Sequence, residues 1–340
     1  VNSAVVNTSG SAFKSTFLLG LQAQLGGTIP FDRFMQEALY HPLFGYYSSQ
    51  IRTVGRRGDF STWATLDQSL AKAIASWLKK SSARHVIEVG AGSGALARDV
   101  LASLGWWNRR KISYHIVEVS EPLRAKQQES LRGSKLHWHT SMQSALEAVH
   151  GEAWIFSNEL PDAFPCRIFE KTDTGWMELH LKITDGKFHE VLQECKLPES
   201  TVFDHPFQAG CRVEVHESYQ SWLRDWAPLW KKGELLTIDY GDTMPSLYHR
   251  RPAGTIRGYA HHQLLTGPDL YQSPGRCDIT ADVNFSDLEN WGYQLDWHTL
   301  AHSTLTEFLS VRLPNHSLTP QLESAGNAFR ILLQSPLKHP

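Results

Sequence analysis

Apolar residues in the stretch 64–79 recur at helical spacing: Leu66, Leu70, Ile74, Trp77 and Leu78 fall on one face, which predicts an amphipathic helix. A second segment of the same period covers 31–39, and a glycine-containing loop, Gly45 to Phe60, separates the two. From residue 84 the rhythm changes to short, continuous apolar runs alternating with helical ones, the pattern of buried parallel strands and crossover helices. Strands are predicted at His85–Val89, Tyr114–Val119, Leu136–His139 and Ala153–Ser157, with helices at Ala95–Ser103, Glu121–Leu131 and Met142–Val149 between and after them. Such a β-α-β series with short connections is one side of a doubly wound α/β sheet.

After Asn158 the alternation stops. Residues 161–213 read as inserted hairpins, with strand character at Ile168–Glu170, Trp176–Ile183 and Lys187–Leu192. A helix at Ser218–Trp230 and a central strand at Leu235–Tyr240 resume the core, and the glycine- and proline-rich stretch 242–282 reads as a long loop. A helix at Phe285–Trp291, a strand at Tyr293–Trp297, a helix at Leu305–Ser310 and a closing strand at Ala328–Leu333 complete the chain. The expected division is a tail over 1–27, an N-terminal helical and loop segment over 28–82 that covers the site, a core made of 83–160 and 216–335, and a substrate-side insertion over 161–215.

Composition narrows the classes. With 340 residues and 41% hydrophobic content the chain can fill a substantial core. Its 33 basic and 35 acidic residues give a formal charge of −2, so bulk electrostatics asks for neither nucleic acid nor an anionic membrane. The basic pairs Arg56-Arg57, Lys79-Lys80, Arg109-Arg110, Lys231-Lys232 and Arg250-Arg251 are dispersed and read as solvated surface, with local patches left open. Cys166, Cys195, Cys211 and Cys277 show no C-x-x-C spacing, and the 17 histidines form no compact ligand pattern, so no metal is expected and a reducing compartment fits. No apolar run reaches membrane-spanning length. The opening segment carries Phe17-Leu18-Leu19-Gly20-Leu21 and no acid before Asp32, which suits a disordered tail or a targeting remnant.

The candidate chemistry lies at Glu88-Val89-Gly90-Ala91-Gly92-Ser93-Gly94, between a predicted strand and a predicted helix. A glycine-rich turn there lets backbone N–H groups approach a ligand, and the helix N-terminus favours an anionic group. Glycines at such a turn can also simply relieve crowding. Two acids shift the balance: Glu88 stands just before the turn, where a carboxylate can meet a cofactor's amino group, and Glu118 closes the next strand, where it can accept a ribose diol. Gly90 to Ala95 also satisfies G-x-G-x-x-A, so a dinucleotide-dependent dehydrogenase competes. That pattern wants its acid about 20 residues on, whereas Glu118 follows Gly90 by 28. The wider gap and Glu88 favour S-adenosylmethionine and methyl transfer.

Several strings then carry a resemblance: Leu39-Tyr40-His41-Pro42-Leu43-Phe44-Gly45-Tyr46-Tyr47, Gly58-Asp59-Phe60, Val117-Glu118-Val119-Ser120-Glu121-Pro122 with Gln127, Asn158-Glu159-Leu160-Pro161-Asp162-Ala163-Phe164-Pro165, Ile238-Asp239-Tyr240-Gly241 and Thr255-Ile256-Arg257-Gly258-Tyr259 with His261. In this order they resemble the MidA-like S-adenosylmethionine-dependent methyltransferases, whose mitochondrial members include a complex I assembly-factor arginine methyltransferase. The chain departs from the family at Trp63-Ala64-Thr65-Leu66, where proline-glutamate-isoleucine is usual, and at Ala91 and Ser93, where proline and arginine are usual. The resemblance implies a class I Rossmann-like methyltransferase sheet with an N-terminal helical segment and inserted hairpins and loops.

It also implies a guanidinium nucleophile. Because its pKa exceeds about 12, paired carboxylates would clamp it and aim a nitrogen at the methyl group rather than deprotonate it beforehand. Glu159 and Asp162 are the candidates, with Asp59 and His261 as second-line catalytic residues; each also fits an ordinary helix-start or turn role. Cofactor contacts are expected from Glu88, Gly90, Ala91, Gly92, Gly94, Glu118, Val119 and Asn158. The Asp239-Tyr240-Gly241 segment either borders the pocket or starts the next loop. The expected partner is a protein or small-molecule methyl acceptor, without nucleic acid or membrane, and a homodimer stays open. A non-catalytic, cofactor-binding assembly factor is the alternative from another class. The expected location is a bacterial cytoplasm or, second, a mitochondrial matrix.

Overall fold

The computed structural model describes residues 3–50, 67–81, 83–131, 136–260, 263–315 and 317–337, with the side chains of 3–13, 49, 50 and 260 left aside. Asp59, Trp63 and His261 therefore lie outside the described residues. The chain divides into two units, one of Val1–Ile51, Ala163–Ser218 and Tyr248–Ala281, the other of Arg52–Asp162, Tyr219–Leu247 and Asp282–Pro340.

The second unit is the doubly wound α/β body. Its sheet is built from β1 (His85–Val89), β2 (Ser113–Val117), β3 (Leu136–His139), β4 (Trp154–Asn158), β5 (Leu235–Asp242), β6 (Trp297–Thr304) and β7 (Phe329–Pro336), in the spatial order β3-β2-β1-β4-β5-β7-β6. Strands β1 to β5 pair in parallel, while β7 runs antiparallel to both β5 and β6. The two-residue strand Val283–Asn284 pairs alongside the end of β5. The order reverses direction at β1 and β4, which places the loops after those strands at the switch point where α/β sheets bind ligands.

The apolar runs become strands because they are covered from both sides. Val86 and Ile87, Tyr114 and Ile116, and Leu236 and Ile238 are buried in β1, β2 and β5. Helix α1 (Ser69–Lys80) lays Leu70, Ile74, Trp77 and Leu78 on this core, and α2 (Ala95–Arg109) adds Leu96, Val100 and Leu104. Full burial of each such side chain stabilises the fold by about 1.5–3 kcal/mol. Elsewhere in this unit Trp226 and Trp230 close on Trp297 with ring centroids 5.4 and 5.2 Å away, so these indoles are core.

Where an expected strand covers 293–297, the helix Phe285–Gln294 runs on and β6 begins only at Trp297. The helix thus overruns its expected end at Trp291 as far as Gln294. Strand β6 is an exposed edge of mostly polar residues, so it carries no apolar run to announce it.

The first unit contains the hairpins. Ile29–Pro30, Arg167–Thr172, Gly175–Thr184, Lys187–Gln193 and Arg212–Val215 form an antiparallel sheet. The turn at Asp185-Gly186 has φ of 51° and 73°, the mirror-image turn that suits a two-residue hairpin. Partly buried arginines stitch the strands: Arg167 grips Glu178 at 2.9 and 2.6 Å, and Arg212 grips Glu190 at 3.0 and 2.6 Å.

Two expectations change here. The segment read as a tail forms a helix, Ser3–Gln24, whose Leu18 and Leu21 are buried and whose Phe17 packs edge-on against Phe44. Leu18 and Leu21 of the apolar string thus form a packing face, while Leu19 stays exposed. The stretch read as a long loop holds a three-stranded sheet of Arg257–Ala260, Gln263–Leu265 and Asp278–Thr280, and a short helix, Pro268–Tyr271. Strands of three or four residues broken by glycine and proline are too short for periodicity to register.

Candidate active site

Everything that carries site chemistry among the described residues of the α/β unit converges on the C-terminal ends of β1, β2, β4 and β5. Strand β1 delivers Glu88 and then turns sharply through Gly90 (φ 70°), Gly92 (φ 53°) and Gly94 (φ 78°) into α2. The left-handed Gly94 is the N-cap of α2 and supplies no side-chain cap, and the first turn of α2 holds no acid. That leaves the positive end of the helix dipole to an external anionic group. Gly90 also has a steric reason: a Cβ there would stand 2.9 Å from Leu160 Cδ1. The glycine turn and the loop after β4 are therefore in contact.

Glu118 follows β2 directly and is buried. One carboxylate oxygen accepts the Ser120 N–H at 3.0 Å and the other accepts Gln127 Nε2 at 3.0 Å. A carboxylate has about four acceptor positions, so capacity remains for a diol. Burial raises the Glu118 pKa, with the Ser120 and Gln127 hydrogen bonds pulling the other way. Gln127 Nε2 also donates to the Gly92 carbonyl at 2.8 Å, and Trp138 Nε1 donates to Gln127 Oε1 at 3.3 Å. A buried amide on α3 (Glu121–Ser130) thus ties the glycine turn to Glu118. Residue chemistry alone gave Gln127 no role. Val119, next in line, is 68% exposed.

Glu88 is 2% exposed and accepts the Tyr114 hydroxyl at 2.6 Å. Burial pushes its carboxyl up to about 7, against the pull of that hydrogen bond, and the charge of Glu118 adds to the rise. Nothing in the apolar pattern flagged Tyr114; its hydroxyl on a buried strand beside β1 is the signal that could have found it.

At the end of β4, Asn158 Nδ2 donates to Glu159 Oε1 at 3.1 Å. The buried Asn158 Oδ1 has no hydrogen-bond partner among the described residues, and neither has Ser157 Oγ. An orphaned acceptor beside a glycine turn suits a cationic amino group. Glu159 then takes φ 53°, a left-handed conformation unusual for a residue with a Cβ. Asp239 holds the loop there from β5: its carboxylate accepts the N–H groups of Leu160 at 3.2 Å, Asp162 at 3.1 Å and Tyr240 at 2.7 Å. Asp239 is fully buried, and burial raises its pKa well above the usual carboxylate range, with the charge of Glu159 contributing. The Asp239 carboxylate thus braces the loop after β4, a role that neither sequence reading of this segment gave it. The structure brings Glu88, the glycines, Glu118, Asn158 and Glu159 to one end of the sheet, with Asp162 buried beside Asp239. These residues fit a ligand that offers a diol, an amino group and an anionic group.

A doubly wound sheet in the order β3-β2-β1-β4-β5-β7-β6 with this glycine turn defines a nucleoside-binding α/β protein of the class I methyltransferase type. Residues 69–303 match the family described as "Putative S-adenosyl-L-methionine-dependent methyltransferase", and the chain belongs to that family. It is an S-adenosylmethionine-dependent methyltransferase.

The structure is similar to a Burkholderia thailandensis protein crystallised with S-adenosyl-homocysteine: TM-score 0.83, 27% identity, 96% of this chain and 92% of that one. The chain is also 27% identical over 319 residues to a zebrafish (Danio rerio) protein named protein arginine methyltransferase NDUFAF7, mitochondrial, covering 82% of this chain and 72% of that protein. The human protein of that name is 27% identical over 300 residues, covering 77% of this chain and 65% of its own length. The chain thus spans about two thirds of the length of these relatives.

Proposed function

We propose that the chain transfers a methyl group to an arginine guanidinium of a protein, with Glu159 and Asp162 as the orienting carboxylates. The observation that carries this reading is the braced loop after β4, on which Glu159 is locked left-handed next to Leu160, the residue that contacts the glycine turn. A fixed carboxylate beside the cofactor turn can dock a planar cation with its nitrogen lone pair directed at the methyl carbon. The names of the zebrafish and human relatives support the guanidinium as acceptor, and they support a mitochondrial location.

In this reading the bound cofactor supplies an electrophilic methyl on a sulfonium. The backbone of Gly90, Ala91, Gly92 and Gly94 holds its amino-acid end, with Glu88 and Asn158 Oδ1 receiving the ammonium. Glu118 takes the ribose hydroxyls, and the exposed Val119 offers an apolar contact to the base. Glu159 balances the guanidinium charge, and the proton departs after transfer, when the nitrogen that carries it has become more acidic.

The test uses the purified chain, radiolabelled S-adenosylmethionine and arginine-rich peptides, with the same peptides in which lysine replaces arginine as control. Label in arginine peptides only, reduced by about 100-fold or more in Glu159→Gln, is the expected result. Label in the lysine peptides, or base-labile label on carboxyl groups, would overturn the guanidinium assignment.

A further inference from the structure

Two basic pairs that are far apart in the sequence meet in the fold. Helix α1 ends on Lys79 and Lys80, and Lys79 Nζ donates to the Ser103 carbonyl of α2 at 2.8 Å. Helix α2 ends on Arg109, followed by Arg110 and Lys111. Strands β1 and β2 start side by side, with the Ser113 N–H bonded to the Arg84 carbonyl at 2.8 Å. Lys79, Lys80, Arg84, Arg109, Arg110 and Lys111 therefore share the N-terminal edge of the parallel sheet, and all six are exposed. No aspartate or glutamate occurs within 68–87 or 100–117. Glu152, just before β4, pairs with Lys232.

Two indoles stand out of this cationic rim. Gly105, at φ 72° and ψ 163°, breaks α2 and turns its last residues outward. Trp106 and Trp107 follow at 58% and 72% exposure, and no other described tryptophan is exposed. Their rings meet edge-on at 4.4 Å, and the Arg110 guanidinium lies 4.6 Å over the Trp106 ring. Leaving two indoles in water forfeits apolar burial that sequences rarely forgo without a use.

We propose that this edge docks on an anionic phospholipid surface, with Trp106 and Trp107 inserted at headgroup depth and the six cations on the lipid phosphates. Indoles prefer the membrane–water interface, where the ring is apolar and its N–H stays wet. Lysines and arginines beside a membrane each add attraction to anionic lipid. An indole that anchors a protein partner is held in a packed recess, and lysine is depleted from such interfaces. Here the indoles project and three of the six cations are lysines. Helix α2 runs ten residues from Ala95 to its break at Gly105, so the glycine turn at its other end is about 15 Å from the lipid, which leaves the cofactor site accessible.

Sedimentation of the purified chain with vesicles tests this. Vesicles containing phosphatidylserine should bind the protein and pure phosphatidylcholine vesicles should not, with the binding lost at high salt. Trp106→Ala/Trp107→Ala and Arg110→Glu/Lys111→Glu should each weaken binding by about tenfold or more. Both variants should keep wild-type S-adenosylhomocysteine affinity, which shows that they are folded. Brominated lipid should quench the fluorescence of the wild type and not of the indole variant. No vesicle binding, or binding that the indole variant retains in full, overturns the proposal. So does binding to polyglutamate beads that Arg110→Glu/Lys111→Glu abolishes, without any quenching by lipid, which would mark the patch as a site for an acidic protein.

Discussion

Glu88 should make cofactor affinity depend on pH around neutrality. Its carboxyl is buried and pushed up to about 7, so the cofactor-free site is largely protonated at pH 6 and largely ionised at pH 8. One unit below the pKa about 9% of sites carry the charge, and one unit above about 91% do. S-adenosylmethionine brings a sulfonium and an ammonium, and a cation beside Glu88 favours the carboxylate. If only the ionised form binds well, affinity rises about tenfold between those pH values and then levels off. Binding near pH 7 releases about half a proton per site, which isothermal titration reads as a dependence of the observed heat on the buffer.

Without ligand the sign reverses. A carboxyl raised from 4.5 to about 7 stabilises the fold below 4.5 and loses that contribution as pH rises through 7. The loss is on the order of 3 kcal/mol. Glu88→Gln keeps an acceptor for Tyr114 and should remove both effects, giving pH-independent, weaker binding and an apo protein that melts higher above pH 7. A steep pH profile in Glu88→Gln would refute the assignment.

Three further outcomes follow from the geometry. Glu118→Ala should weaken S-adenosylhomocysteine binding by about 100-fold in titration calorimetry, because two hydroxyl bonds to a charged acceptor and the anchor for Gln127 go together. Asp239→Asn should lower kcat by about tenfold or more while leaving the cofactor Kd near wild type, since an amide meets three backbone donors with half the acceptor capacity and the Glu159 loop shifts. Gly233→Ala should destabilise the chain by about 3 kcal/mol or more in thermal melts, because the added Cβ would overlap the Ala153 carbonyl and φ is 129°.

What the sequence revealed was what is local. An acid, a glycine turn and a helix start within a few residues of one another, so Glu88, Gly90, Gly92 and Gly94 are legible from spacing alone, and Glu118 follows from the next strand. The bracing of the site is not local. Asp239 reaches backbone groups 77 and 79 residues earlier, and bonds to main-chain N–H groups leave no trace in residue type. Gln127 entered only through family resemblance, because a glutamine on a polar helix looks like surface until its amide is seen between Gly92 and Glu118. The helix Ser3–Gln24 lay in a segment whose composition suits a tail, and β6 hid behind the polar composition of an edge strand.

The long reach of Asp239 also orders events in time. A ribosome releases β1 to β4, and with them the glycine turn and Glu118, well before β5. The chain of Ala163–Ser218 must emerge in between. The cofactor half of the site can therefore take shape on the nascent chain, while the loop that carries Glu159 waits for a carboxylate still to be made. Nascent chains arrested before and after residue 239 clears the ribosomal exit tunnel should differ in protease protection of 158–162 and not in that of 88–94. The enzyme would be able to hold its methyl donor before it can use it.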